Sequence, residues 1–171
     1  MLQYYSKELI YMKVQTGCLY HIKDEYFDKI NEKGLMINHE NGHSRPSYLA
    51  IKEHNILWFI PLSTKVDKYK IIVEKKKNKY GKCSTIMIKR IAGQDQAILL
   101  QNAFPSLEKY IKSRHTKDGI VVKISYNVQK EIINNFEYLL SLKSKGLNLF
   151  FTDIDYINNL MNEELKTCTS K

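Results

Sequence analysis

Residues 47–65 read SYLAIKEHNILWFIPLSTK. Two apolar runs, Ser47 to Lys52 and Leu57 to Pro61, flank the polar triplet Glu53, His54 and Asn55, which is the pattern of an antiparallel hairpin. Tyr48, Ala50, Leu57, Trp58 and Phe59 are expected in the core, since large apolar side chains within strands are mostly buried. Beyond Pro61 the period changes. From Val66 to Lys79, the residues Val66, Tyr69, Lys70, Ile72 and Val73 recur at approximately helical spacing on a strongly basic background, so a helix with one buried stripe and one cationic face should follow. The segment Pro61-Leu62-Ser63-Thr64-Lys65 therefore falls where an apolar strand stops.

Working outward, Thr16 to Ile22 reads as a strand. Asp24 offers an N-cap to a short helix carrying Tyr26, Phe27 and Ile30 and ending at Gly34. Asn38 to Ser44 reads as a polar loop. On the C-terminal side, Ile86 to Ile91 and Gln96 to Leu100 suggest a second hairpin turning through Gly93 and Asp95. Pro105 sits where the first turn of a helix would begin, with Leu107, Tyr110 and Ile111 as its apolar contacts. Ile120 to Ile124 reads as a strand, and Ser125 can cap the longest helix, whose stripe is Val128, Ile132, Phe136, Leu139 and Leu140. A last amphipathic segment carries Ile154, Ile157, Leu160, Met161 and Leu165. Short strands in adjacent pairs, without regular alternation with helices, predict an α+β fold: a compact twisted antiparallel sheet or small barrel decorated by helices. One domain is expected over 1–171, with 1–14 as an N-terminal extension in which Met12 is a second candidate start, and 126–171 as its helical C-terminal part.

Twenty-seven Lys and Arg against 18 Asp and Glu leave a formal charge of +9, which favours a polyanionic partner. No apolar run approaches the ~18–20 residues of a spanning helix, and the start lacks the pattern of a signal peptide. A cytoplasmic protein without a membrane partner is the expectation. Cys18, Cys83 and Cys168 are odd in number, widely spaced and without a CxxC pair, so they read as free thiols. Neither a Gly-rich phosphate loop nor HExxH is present. No metal and no organic cofactor are expected, and the chemistry falls to side chains.

Ser63, Thr64 and Lys65 place two hydroxyls and an ammonium at the end of the strand. Cleavage of an RNA phosphodiester needs hydrogen bonds that orient the phosphate and positive charge for the phosphorane, which these three side chains can supply while the substrate's 2′-hydroxyl attacks. The plainer reading is that Ser63 or Thr64 caps the next helix and Lys65 is solvated. The two are compatible, because a helix N-terminus is itself a phosphate seat. Arg45 can grip a phosphate bidentately or simply lie at the surface. His43 can titrate near neutrality as an acid or base or be merely solvated, and His21, His39, His54 and His115 rank below it. Lys65, Lys68, Lys75, Lys76, Lys79 and Lys82, with Tyr69 and Tyr80, form a basic and aromatic band suited to single-stranded RNA, which Lys112 and Arg114 extend. Charge and aromatics support a non-catalytic RNA- or DNA-binding module equally well.

The stretches Arg45-Pro46-Ser47-Tyr48, Trp58 through Tyr69, and Gln101-Asn102-Ala103-Phe104-Pro105 together resemble the endoribonuclease toxins of type III toxin–antitoxin systems, the ToxN/AbiQ family and its CptN-like branch. The resemblance spans about Thr16 to Ile111. It implies a small SH3-like barrel related to the MazF and Kid toxins, and metal-independent cleavage that leaves a 2′,3′-cyclic phosphate. It also implies cellular or phage RNA as substrate, and an antitoxin RNA pseudoknot, cut from a tandem repeat, as inhibitor in a ring-like protein–RNA assembly. Carried onto this chain, the family's Pro-Leu-Ser/Thr motif with a nearby Lys falls on Pro61 to Lys65, and its N-terminal helix tyrosine on Tyr26. Ser47, Gln101 and Asn102 fall in the flanking stretches expected to contact RNA. Some relatives read Thr-Ser-Pro-Lys where this chain has Ser63-Thr64-Lys65 without the proline.

Overall fold

In a computed structural model, residues 13–168 are described; the expectations for Met12 and for most of the 1–14 extension lie outside them. Strands β1 (Leu19–Ile22), β4 (Pro46–Glu53), β5 (Ile56–Ser63), β6 (Met87–Ile91), β7 (Gln94–Ile98), β8 (Phe104–Ser106) and β9 (Ile111–Arg114) build one antiparallel sheet. Two further hairpins stand apart from it, β2 (His39–Glu40) with β3 (His43–Ser44), and β10 (Thr116–Lys117) with β11 (Ile120–Val121). The helices are α1 (Asp24–Ile30), α2 (Val66–Tyr80), α3 (Tyr126–Ser144) and α4 (Ile154–Cys168). The fold is α+β. Strand order β6-β7-β5-β4-β1-β9 leaves β6 and β9 as edges, so the sheet is open and of the two architectures expected it is the twisted sheet, with no closed barrel among the described residues.

The expected first hairpin is β4–β5, registered Ser47 against Pro61 and Glu53 against Ile56. All eight residues of β5 are buried. That follows from its sequence, because a continuous apolar run suits a strand covered on both faces. One edge of β5 lies on β4; the other is shared, Leu57–Phe59 pairing with β8 and Leu62–Ser63 with β7. Pro61, which has no N–H to give to a ladder, occupies the fork between these two partners, and its carbonyl accepts from Leu99 N at 3.0 Å.

Helices α3 and α4 complete the main core. Phe136 of α3 packs on Trp58 with ring centroids 5.6 Å apart and on Phe150 at 5.8 Å, and α4 buries Ile154, Ile157 and Met161. Helix α2 sits over a separate small cluster, in which Tyr69 and Val73 meet Ile86, Ala97 and Leu99. Gly34 is needed for a close approach: a Cβ there would lie 1.9 Å from the Phe151 carbonyl oxygen.

Several local expectations change. Pro105 lies in β8 opposite Trp58, because pairing of residues 104–106 with β5 satisfies backbone that a helix start would leave exposed; a single 3-10 turn over Glu108–Tyr110 follows. Residues 39–44 form the β2–β3 hairpin around Asn41-Gly42 rather than a plain loop. Asp24 is inside the first turn of α1, with Lys23 at the cap position. Its Oδ1 accepts from Asn38 Nδ2 at 2.7 Å and meets His39 Nε2 at 2.5 Å, tying α1 to that hairpin. The turn of β6–β7 is Ala92-Gly93, and the strand expected over 120–124 is only Ile120–Val121.

Candidate active-site cleft

Where β5 stops, a cleft of about 560 Å³ opens between the β2–β3 hairpin, the β6–β7 turn and the β10–β11 hairpin. Ser63 and Thr64 line it together with Glu40, His43, Ser44 and Arg45, and His21 and His115 form another part of its wall.

The first wall is assembled from neighbours in the chain. Ser63 is the last residue of β5, 3% exposed, and its Oγ accepts from Lys65 N at 3.2 Å. This hydroxyl therefore shapes the turn into α2, yet Lys65 holds the helix's N-cap position without a side-chain cap bond, so the expected capping by Ser63 or Thr64 is replaced by that turn. Thr64 is exposed in the cleft. Lys65 Nζ pairs with Glu40 Oε1 at 2.5 Å. Arg45 is a brace: Nη1 donates to the Leu62 carbonyl at 2.9 Å, Nε to the Ile37 carbonyl at 3.2 Å, and Nη2 to Glu40 Oε2 at 3.0 Å. With its side chain 11% exposed, it holds the strand end and Glu40 rather than presenting a free fork to a phosphate. The hydrogen bond from Lys65, against the opposing effect of burial and with help from Arg45, keeps the Glu40 carboxyl below the usual range.

The second wall joins residues 94 positions apart. His21 Nε2 lies 2.8 Å from His115 Nδ1, and His21 Nδ1 lies 2.7 Å from Ser44 Oγ. Pairing of β1 with β9 and the bond from His115 N to Leu19 O bring them together. Burial lowers the proton affinity of both imidazoles, and His115 and Lys112 lower that of His21 further. Sequence reading ranked both below His43 and did not single out Ser44 or Glu40. The one available signal was polar His21 interrupting an apolar strand.

The remaining predicted residues fall in three places. His43 is exposed on β3 in the cleft. Tyr26, Ser47, Gln101 and Asn102 are buried outside it. Tyr26 is fully enclosed, its hydroxyl donating to the Pro105 carbonyl at 2.7 Å and its ring packed on Phe104 and Tyr110; Gln101 Oε1 accepts from Lys76 Nζ at 3.0 Å, and Asn102 Nδ2 donates to the Gly34 carbonyl. Lys76 also donates to Thr85, and Tyr69 is 7% exposed, so these two members of the expected band are structural. Lys68, Lys75, Lys79, Tyr80, Lys82 and Lys112 are exposed. Lys79 lies over the Tyr80 ring and Lys82 over the Tyr138 ring, the latter at 4.0 Å from the centroid. Arg114 packs over Tyr20 and donates to the Lys13 carbonyl. No helix among the described residues is long and apolar enough to cross a membrane.

No family model matches the chain, and no curated protein matches it. Among solved structures it is similar to AbiQ, described as a lactococcal anti-phage endoribonuclease belonging to the type III toxin–antitoxin system, with a TM-score of 0.61 and 15% identity. The similarity covers 89% of this chain and 99% of that one, so the open sheet, its helices and the cleft at the end of β5 belong to a chain with the AbiQ fold.

Proposed function

We propose that this protein is an endoribonuclease toxin of a type III toxin–antitoxin system, acting in the cytoplasm as one domain. The carrying observation is the cleft at the end of β5, which in an AbiQ-like fold gathers Ser63 and Thr64 with imidazoles at the N-terminus of a basic helix. The hydroxyls of Ser63 and Thr64 hold the scissile phosphate beside the positive end of α2, and Lys65, steered by Glu40, supplies charge against the phosphorane. The substrate's own 2′-hydroxyl attacks, so side chains suffice and the product end is a 2′,3′-cyclic phosphate. The exposed lysines and Tyr80 of α2, continued by Lys82, make a sequence-tolerant track for the single strand. Cellular or phage RNA is the substrate, and an RNA folded from a tandem repeat is the inhibitor, held between protomers in a ring-like complex.

Purified protein incubated with end-labelled total RNA in EDTA should produce fragments ending in 2′,3′-cyclic phosphate. Repeat RNA transcribed from the DNA upstream of the gene should stop the cutting. RNA that stays intact while binding with a steep salt dependence would replace this reading with that of a binding module.

A further inference from the structure

We propose that His115 is the general base of the cleft, withdrawing the proton of an RNA 2′-hydroxyl as one half of an imidazole pair with His21, and that Ser44 is the positioning residue that sets the pair's tautomer. This rests on the ribonuclease reading above.

Both rings line the cleft that also holds Ser63 and Thr64. The 2.8 Å separation of His21 Nε2 and His115 Nδ1 accommodates one proton, so one ring donates and the other accepts. Ser44 Oγ, 2.7 Å from His21 Nδ1, serves either as donor or as acceptor. When Ser44 accepts, His21 carries its proton on Nδ1, His21 Nε2 accepts from His115 Nδ1–H, and His115 Nε2 is left bare. Nε2 of His115 has no protein partner among the described residues, whereas the other three ring nitrogens of the pair are bonded. A bare imidazole nitrogen in a polar cleft, with its ring oriented by a second group, is the arrangement of a general base.

The surroundings keep the pair neutral, as a base requires. Burial disfavours the imidazolium at both rings, and Lys112 on β9 repels charge at His21. Of the other charged groups around the cleft, Glu40 is engaged by Arg45 and Lys65, and Lys117 Nζ donates to the Ala92 carbonyl at 2.7 Å; His43 stands exposed on β3. In the reaction the 2′-hydroxyl proton passes to His115 Nε2 while the O2′–P bond forms. The P–O5′ bond breaks, its oxygen takes a proton from water in the open cleft, and the imidazolium returns its proton to solvent. Protonated His115 still donates from Nδ1 to neutral His21, so the pair stabilises the charge it gains.

The experiment follows cleavage of end-labelled random-sequence RNA in EDTA from about pH 5 to 8, the range in which imidazoles titrate, for the wild type and for His115→Gln, His21→Gln and Ser44→Ala. Wild-type kcat/KM should rise with pH along a limb inflecting below 6.5. His115→Gln should lose about 10²–10⁴-fold in rate and lose the limb as well, with KM little changed. His21→Gln and Ser44→Ala should lose less and move the limb. Nitrogen-15 spectra of the wild-type imidazoles should show two coupled titrations, a readout independent of whether the variants fold. Cleavage by His115→Gln at the wild-type rate overturns the base assignment alone; two histidines titrating independently at ordinary values overturn the pair. Unshifted profiles in Ser44→Ala remove its positioning role. Wild-type protein that cuts no RNA overturns the ribonuclease reading and the base together.

Discussion

The two walls of the cleft are built in opposite ways. Arg45, Ser63, Thr64 and Lys65, with Glu40, come from two short stretches, and their links are hydrogen bonds and ion pairs at the end of a hairpin. His21 and His115 meet only because β9 returns antiparallel beside β1. A wall of near neighbours can be read as a motif. A wall assembled across the sheet carries no local signature, although its ring-to-ring separation of 2.8 Å is shorter than the bonds of Arg45 to the Leu62 carbonyl and to Glu40.

Five substitutions or titrations break or sharpen that comparison. The largest effect is expected from Ser63→Ala: removing one positioned donor should lower the cleavage rate about 10²–10³-fold, equivalent to ~2.7–4 kcal/mol, with the fold intact. Undiminished cutting of labelled RNA by that variant would strip the first wall of its catalytic role. Arg45→Ala should come next. It leaves the Leu62 and Ile37 carbonyls without their charged donor and Glu40 with Lys65 alone, costing about 1.5–3 kcal/mol in urea denaturation. A midpoint unchanged from wild type would mean the brace is idle.

The second wall has a signature in pH. The folded-state proton affinities of His21 and His115 lie below the ordinary 6.5, so the unfolded chain binds protons first as pH falls. Stability from this pair is thus complete above 6.5 and declines as pH drops from there through the lowered folded values; the double variant His21→Gln/His115→Gln should flatten that slope in thermal melts. A wild type that becomes more stable on acidification across this window contradicts the placement of the rings. The helical layer titrates elsewhere. Burial opposes ionisation of Glu164, but hydrogen bonds from Lys109, Lys29 and Tyr110 bring its carboxyl down to about 2. Its contribution is present above 4.5 and is lost as pH falls towards 2. The smallest effect on stability belongs to Lys65→Ala. With the side chain 60% exposed, its pair with Glu40 is worth about 0–1 kcal/mol to stability, and the loss should appear instead as slower cleavage, together with weaker, less salt-sensitive RNA binding. A destabilisation matching that of Arg45→Ala would make Lys65 part of the brace.

Several site residues were legible in kind but not in place. Tyr26, Gln101 and Asn102 look like polar contacts in a linear reading, yet the fold spends them on the Pro105 carbonyl, Lys76 and the Gly34 carbonyl. Periodicity cannot separate a tyrosine that faces solvent from one whose hydroxyl finds a carbonyl inside the core, because both sit on an apolar stripe. The same limit applied at Pro105, where the helix-start residue proved to be strand because β5 had a free edge to offer.

By itself the sequence determined the elements whose cause is local: the β4–β5 hairpin from its two apolar runs, α2 from its change of period after Pro61, α3 and α4 from their stripes, and a strand-end motif next to a basic helix. Only the tertiary structure decided that the sheet stays open, that Arg45 braces the end of β5, and that His21 and His115 meet in one wall of the cleft. The physical reason is that hydrophobic period and turn chemistry act over a few residues, whereas strand order and the pairing of buried polar groups depend on which distant backbone closes beside them.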